Sequence, residues 1–340
     1  MAEIRRIVLR RLLNAAITIF GMVTLNFFLI NFMGDPLDLL TPRSPNVPDD
    51  IRQVNCVRYG LCGPDGQPLD VFHRFVIYLQ NIVSGNWGTS YYWKQTPVVD
   101  VIMPAMGWTL LLIGTSTVIT ILIGMAIGAL SAQRRGRPFD VAAIGFSLFF
   151  YGMPFFWLAL VMQLAFTKPQ FGLNWWPVFP SGHKYDITIG VFEWTHLDNV
   201  GSALYYLALP AATLALGTVA GVSLVMRNSL IDVMTEDYVV TARAKGLAER
   251  LILRRHVLPN GMPPMVTLIA LDMAFIFGGA YQVEYVFSYE GIGWVTITAI
   301  NNFDFPVLQF VVVLGGIAVV IANLVADLVL LKIDPRIKVT

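Results

Sequence analysis

The chain has 340 residues, of which 56% are hydrophobic and only 13% are charged, whereas ordinary soluble domains average roughly 25% charged residues. Its formal net charge is only +1. The positions of the charged residues along the chain are therefore more informative than their sum. The composition excludes an ordinary soluble domain and indicates an all-α membrane protein, because apolar runs of about 20 residues fit a hydrocarbon core about 30 Å thick.

Six apolar runs predict six transmembrane helices. The runs cover residues 10–32, 105–132, 141–166, 203–226, 262–283 and 306–331. They divide the chain into an N-terminal tail with the first span (1–32), an extracytoplasmic segment (33–104), a transmembrane domain (105–331) that includes a loop at 227–261, and a C-terminal tail (332–340). The basic start resembles a signal peptide, but its apolar stretch is too long for one, so we expect it to remain as the first span.

Lysine and arginine are distributed unevenly over the predicted loops. If the N-terminus faces the cytoplasm, 16 of the 23 basic residues fall on the cytoplasmic side. Cytoplasmic loops of membrane proteins carry such an excess. The sequence therefore predicts a multi-pass protein of the cell membrane with both termini in the cytoplasm.

The extracytoplasmic segment 33–104 contains one predicted helix. Apolar residues recur there at three-and-four spacing from Phe72 to Val83, which is typical of a short amphipathic helix. We favour packing of this helix against the outer ends of the spans over a role in binding.

Cys56 and Cys62 are the only cysteines in the chain. The predicted topology places both outside, where an oxidising compartment favours a disulfide over free thiols. Their spacing matches no usual zinc pattern.

Carboxylates are rare in the apolar runs. Asp272 lies about ten residues into the fifth run, where a charge costs about 3 kcal/mol or more unless it is paired or hydrated. It is expected to face protein or water, either on a transport pathway or in a hydrogen-bonded contact between helices. For Glu284, near the outer end of the same run, we favour a hydrogen-bonded contact between helices over a place on the pathway, since this residue can reach an interface. Prolines such as Pro154 and Pro210 are expected to bend their helices.

Motifs for covalent chemistry are missing from the sequence. None of the six lysines is followed by Ser or Thr, so there is no Walker A site for ATP. H-E-x-x-H and G-x-S-x-G are also missing. We therefore expect no catalytic residues, no metal site and no cofactor in this chain, and an intramembrane enzyme becomes a poor alternative.

The loop at 227–261 contains an arginine-rich hairpin, "EDYVVTARAKGLAERLILRRHVLPNG". The first half reads as a helix with Thr235 as its cap and Asp237 in the first turn. Gly246 follows Lys245, where a glycine ends a helix in the left-handed conformation. A second helix is predicted to run to Pro259. An amphipathic basic hairpin also fits an anchor to anionic lipids.

The hairpin resembles the cytoplasmic loop of ABC importer permeases, which carries E-A-A-x-x-x-G followed by I-x-L-P. Val240, Thr241 and Ala242 occupy the first three places of this motif, Gly246 is its glycine, and the last four places are filled by His256, Val257, Leu258 and Pro259. The glycine, leucine and proline match, whereas the glutamate and the isoleucine do not. The longer string is similar to the dipeptide and oligopeptide branch, and blocks such as "GMPFFWLAL" and "LALPAATLALG" extend the resemblance over most of the chain. Two outer stretches depart from the pattern, residues 54–68 and 185–200.

The resemblance implies a type I ABC importer permease fold with six transmembrane helices and an extracytoplasmic segment between the first two. The hairpin would be the coupling helix that contacts an ATPase subunit. By matching position, the contact residues would be Asp237, Tyr238, Ala242, Ala244, Lys245 and Gly246. The implied partners are a second permease, two ATPase subunits that bind ATP and Mg, an extracytoplasmic solute-binding protein and the lipid bilayer, with no nucleic acid.

The cargo implied by the resemblance is peptides, and similar permeases carry oligosaccharides or nickel. Outer aromatic residues are expected to anchor at the interface, with stacking on sugar rings as the alternative. These residues are Trp175, Trp176, Trp194, Tyr205 and Tyr206. An ion-coupled secondary transporter that uses Asp272 remains a further alternative.

Overall fold

The computed structural model describes residues 2–32, 53–54, 56–57, 61–63, 67–167, 176–190, 192–265, 268 and 280–333. The chain divides into two compact units, one formed by Met1–Gly107 with Trp294–Val320 and the other by Trp108–Gly293 with Ile321–Thr340. Most of the fifth predicted span, with Asp272, lies outside the described residues.

The described secondary structure is dominated by helices. They are α1 (Ala2–Phe32), α2 (Val71–Ser84), α3 (Val98–Gln133), α4 (Pro138–Tyr151), α5 (Phe155–Phe166), α6 (Leu197–Met234), α7 (Asp237–Ala244), α8 (Glu249–Ile252), a π-helical turn (Leu253–Val257), α9 (Leu258–Gly261), α10 (Tyr281–Val286), α11 (Ile292–Asn301) and α12 (Phe305–Ile333).

Several helices have the length and apolar composition of a membrane span. Within the described ranges these are Leu13–Phe32, Val98–Gln133 and Leu197–Met234, and a fourth span results if α4 and α5 count as one. The continuous course of α6 through Pro210 shows that this proline does not break its helix.

The predicted third span, 141–166, is two helices and not one. The axes of α4 and α5 differ by 103° at the break between Tyr151 and Phe155. Pro154 lacks an N–H and disfavours helical geometry in the residue before it. The Gly152 N–H still donates to the Leu148 carbonyl (3.1 Å), four residues back as in an α-helix, whereas the Met153 N–H donates to the Phe150 carbonyl (3.2 Å), only three residues back. The predicted bend at Pro154 is therefore confirmed, and it is sharper than a kink.

In the first unit, the amphipathic helix α2 packs on α1, as its spacing predicted. The Phe27 ring lies 5.2 Å from Phe75 and 5.3 Å from Tyr78, between centroids. The Asp70 side chain caps the start of α2 by accepting the Phe72 N–H, and Gly85 ends the helix with a φ of +73°.

A buried carboxylate organises another part of the first unit. Asp304 has no exposed surface. It accepts the hydroxyl of Ser90 and the N–H groups of Tyr91 and Tyr92, both at 3.1 Å. These hydrogen bonds thus join the turn that precedes α3 to the residue that precedes α12.

Also in this unit, Cys56 and Cys62 are joined by a disulfide, with 5.2 Å between their Cα atoms. Both sulfur-bearing side chains are buried together with Leu61. The bridge closes a loop in the stretch that departs from the family pattern.

In the second unit, α4 and α5 pack on α6. Helices α3 and α6 approach so closely that a Cβ on Gly128 would lie 2.5 Å from the carbonyl oxygen of Ser223. Ser223 also shares a hydrogen bond of 2.9 Å with Ser147 of α4. Small residues therefore allow close backbone contact here, as glycine and alanine do in helix packing.

Glu284 is fully buried and lies in a hydrogen-bonded contact within the protein. Its carboxylate accepts the hydroxyl of Thr109 (2.9 Å) and the N–H of Gly293 (2.7 Å). Thr109 in turn accepts the N–H of Ile292 (2.8 Å). A Cβ on Gly291 would lie 2.5 Å from the Glu284 carboxylate, so the turn before α11 needs glycine there.

Candidate functional site: the basic elbow

Residues 236–261 form an elbow of two helical arms, which we call the basic elbow. The first arm is α7, and Glu236 occupies its N-cap position without a side-chain cap hydrogen bond. The prediction of Thr235 as the cap is wrong by one residue. Thr235 is instead the last, capping residue of α6, where its hydroxyl donates to the Asp232 carbonyl (2.7 Å). Asp237 lies in the first turn of α7, where a negative charge is favourable.

Gly246 forms the corner of the elbow in the predicted left-handed conformation, with a φ of +76°. Its N–H donates to the Arg243 carbonyl (2.9 Å), and the Leu247 N–H donates to the Ala242 carbonyl (3.3 Å). These two bonds form a Schellman motif, the usual way in which a glycine ends a helix. No atom lies within 4 Å of a Cβ built on Gly246, so its backbone conformation and not its size requires glycine.

An ion pair bridges the two arms across the corner. Arg243 donates from Nε to Glu249 Oε1 (2.8 Å) and from Nη2 to Oε2 (3.4 Å). Because both side chains are exposed, the pair stabilises the corner by about 1 kcal/mol or less.

The second arm continues past Pro259, where the sequence predicted its end. A π-helical turn precedes the proline, and the Leu258 N–H donates to the Leu253 carbonyl, five residues back. The Asn260 side chain donates to the His256 carbonyl (2.6 Å). The wider turn and this side chain satisfy carbonyls near the proline, which has no N–H to offer.

The inner face of the elbow belongs to a buried apolar cluster with the ends of α3 and α6. Its members are Ala132, Val222, Met226, Leu230, Val239, Ala242, Ile252, Val257 and Met265. Both arms therefore contribute side chains to one core, and the elbow is packed against α6. The expectation that Ala242 faces a partner does not hold for its side chain, which is 5% exposed because α7 packs closely on this cluster.

Two polar contacts anchor the base of the elbow. In the first, Arg227 near the end of α6 binds Asp140 of α4 through two hydrogen bonds of 2.6 and 2.7 Å. Asp140 also accepts the Gly136 N–H (2.8 Å) and the Ser131 hydroxyl.

The second contact joins α6 to the end of the second arm. The Ser229 hydroxyl donates to the carbonyl of Gly261 (2.8 Å).

These anchors were not identified from the sequence as functional residues. The available signal was a lone arginine at the end of an apolar helix and an aspartate in the short loop "QRRGRPFD". Charges seldom lie in such buried positions without a partner.

The outer face of the elbow is exposed and carries both charged and apolar side chains. Asp237, Tyr238, Ala244, Lys245 and Gly246 all lie on it. Burial, and then the nearby Glu236 charge, raise the pKa of the Tyr238 phenol, so its hydroxyl stays protonated at neutral pH. The exposed arginines of the second arm are Arg250, Arg254 and Arg255.

The two faces of the basic elbow suit it to bind a partner on one side and to transmit movement to α3 and α6 on the other. Five of the six predicted contact residues lie together on the exposed face, while the buried face is continuous with α3 and α6. A search of the described ranges finds no group of three or more His, Cys, Asp or Glu side chains that could hold a metal.

Comparisons with known proteins agree on one family. Residues 120–339 match the family described as "Binding-protein-dependent transport system inner membrane component". The chain is 31% identical over 332 residues to the oligopeptide transport system permease protein AppB of Bacillus subtilis, covering 97% of this chain and 98% of that relative. It is 32% identical over 332 residues to the glutathione transport system permease protein GsiC of Escherichia coli K12, with the same coverage of each chain.

A solved structure shares the fold. One chain of the MetNI methionine ABC transporter, solved in inward-facing conformations, superposes with a TM-score of 0.53 at 19% identity, covering 70% of this chain and 98% of that chain.

Proposed function

Because this chain belongs to the family of binding-protein-dependent transport system inner membrane components, we propose that it is the permease subunit of an ATP-driven importer of peptides. This chain aligns over nearly the whole length of relatives that are named as oligopeptide and glutathione permeases. These names support peptides as the cargo. The chain itself performs no covalent chemistry in this proposal and alternates access to a pathway.

The proposed assembly has two permeases, two ATPase subunits that bind ATP and Mg, and an extracytoplasmic binding protein. Each permease crosses the cell membrane six times, with both termini in the cytoplasm, and carries the segment 33–104 outside. The bias of basic residues supports this orientation. Asp272 stays a proposed point on the pathway.

The observation that carries the proposal is the packing of the basic elbow. Its exposed face holds the residues that match the family's coupling loop, and its buried face shares a core with α3 and α6. ATP-dependent closure of the partner subunits would therefore move the spans as a rigid body, since a packed core switches between arrangements and does not deform continuously. A ligand such as ATP drives this shift only through its different affinities for the two states.

Replacing Gly246 with valine tests the coupling role. A β-branched residue is strained at a φ of +76°, so the corner is expected to reorient. We expect ATP hydrolysis by the reconstituted importer to continue while ATP-dependent uptake of a tripeptide falls about tenfold or more, which corresponds to about 1.4 kcal/mol of lost coupling.

The matched control is Gly85→Val. Gly85 also ends a helix at positive φ, with no neighbour within 4 Å of a built Cβ, but it lies at the end of α2. Equal uptake in the Gly246 variant and the wild type would contradict the proposal. Uptake by this chain without ATPase subunits would instead favour an ion-coupled transporter, and competition by oligosaccharides or nickel but not by peptides would redefine the cargo.

A further inference from the structure

A cleft lies in the second unit between the segment 180–187 and the start of α6. Its volume is about 720 Å³, within the range of roughly 300–1,000 Å³ that is usual for small-molecule sites. The polar and aromatic residues that line it include Ser181, His183, Asp186, Ser202, Tyr205 and Tyr206. None of them belongs to the basic elbow.

Asp186 supplies a fixed negative charge to this cleft. Its Oδ1 accepts the N–H of Thr188 (2.9 Å) and the Thr188 hydroxyl (2.8 Å), and its own N–H donates to Ser202 Oγ (2.9 Å). The Thr188 N–H, followed by the hydroxyl, holds the pKa of Asp186 below its usual range, so the carboxylate is ionised at neutral pH.

The second carboxylate oxygen of Asp186 remains available for a ligand. Both bonds from Thr188 end on Oδ1. In the described part of the chain, no lysine or arginine forms an ion pair with Asp186. The charge thus has turn-forming partners but no cationic one.

Two tyrosine rings line the same cleft as this carboxylate. The rings of Tyr205 and Tyr206 lie 6.1 Å apart at an angle of 86°. Tyr205 is held in place by donating its hydroxyl to the carbonyl of Val178 and by contact with Phe179, 6.0 Å between centroids. Ammonium groups bind favourably to carboxylates and to the faces of aromatic rings.

We propose that this cleft binds an alkylammonium group, supplied either by the free amino terminus of a peptide or by a lysine of the extracytoplasmic binding protein. The inference rests on the proposed import of peptides and adds the chemistry by which the chain would recognise them. Asp186 belongs to the stretch 185–200, which departs from the family pattern.

The test uses the full importer in lipid nanodiscs with Asp186→Asn, which keeps an oxygen for the Thr188 turn and removes the charge. Equilibrium binding of trialanine and of N-acetyl-trialanine is compared at fixed pH. We expect the wild type to prefer the free amine about tenfold, as for a charged hydrogen bond, and Asp186→Asn to lose that preference.

Asp198→Asn is the matched control, since Asp198 is an exposed carboxylate in the first turn of α6 and does not line the cleft. It should keep the preference for the free amine. Tyr206→Leu should weaken binding, and Tyr206→Phe, which retains the ring, should not.

A second arm identifies the source of the ammonium group. If Asp186→Asn leaves both tripeptides unchanged but weakens docking of the ligand-free binding protein, the group is a lysine of that partner. If neither tripeptide binding nor docking differs between Asp186→Asn and Asp198→Asn, the proposal is wrong. ATP-dependent peptide uptake by the wild type, measured in parallel, separates this failure from a failure of the proposed function.

Discussion

At the scale of single residues, one buried carboxylate is paired with an arginine. The carboxylate of Asp140 is 2% exposed and meets Arg227 in a two-pronged contact. Such planar pairs combine charge with geometry, which lysine cannot reproduce. The contact joins the first turn of α4 to the last part of α6, near the cluster that supports the elbow. Arg227 therefore positions the base of the elbow.

Removing one member of this pair should destabilise the protein more than removing both. Asp140→Ala leaves the part-buried charge of Arg227 without its carboxylate, and losing one partner of a fully buried pair costs about 3–5 kcal/mol, which is the upper bound here. The double variant Asp140→Leu with Arg227→Met should recover most of that stability. Thermal unfolding of the purified protein in nanodiscs measures both, and equal unfolding temperatures for the single and double variants would contradict a paired role.

At the scale of elements, the contact of α3 with α6 depends on the absence of a side chain. A Cβ on Gly128 would lie 2.5 Å from a backbone oxygen and 2.7 Å from the Cβ of Met226. Both helices pack against the elbow, because Ala132 of α3 and Met226 of α6 belong to the same buried cluster as the elbow's apolar side chains. Their spacing is thus part of the path by which movement would pass from the elbow to the spans.

Gly128→Ala should separate these helices, with Gly114→Ala in the same helix as its control. No atom lies within 4 Å of a built Cβ on Gly114, so alanine there should stabilise α3 by roughly 0.5–1 kcal/mol. Overpacking at Gly128 should cost about 1–3 kcal/mol. Thermal unfolding compares the two, and stabilisation by both substitutions would show that α3 and α6 are not in close contact.

At the scale of the whole molecule, the proposed orientation places the elbow in the cytoplasm and the cleft outside. This can be measured with single cysteines at exposed Thr241 and Thr188, introduced into a Cys56→Ser, Cys62→Ser background. In intact cells, a membrane-impermeant maleimide should label Thr188→Cys and leave Thr241→Cys unlabelled until the membrane is opened. Labelling of Thr241→Cys in intact cells would reverse the orientation and exclude contact of the elbow with a cytoplasmic ATPase.

Local patterns in the sequence were enough for several features. The spacing of Phe72 and its neighbours predicted α2, the glycine after Lys245 predicted the corner of the elbow, and Pro154 predicted a bend. Each depends on the conformation of a few consecutive residues, where helical periodicity or a restricted φ determines the outcome. The run of the second arm through Pro259 was missed because a π-helical turn leaves no such local pattern.

The sequence by itself determined the apolar helices, the family resemblance and the position of the elbow, because these are properties of neighbouring residues. Only the tertiary structure decided which side chains are paired or buried. Asp304 with Ser90, Arg227 with Asp140, Glu284 with Thr109 and the inward turn of Ala242 all join residues that are distant along the chain. Such contacts are selected because a charge that is removed from water needs a hydrogen-bonding partner and because helices pack closely, and both conditions arise only when the helices come together.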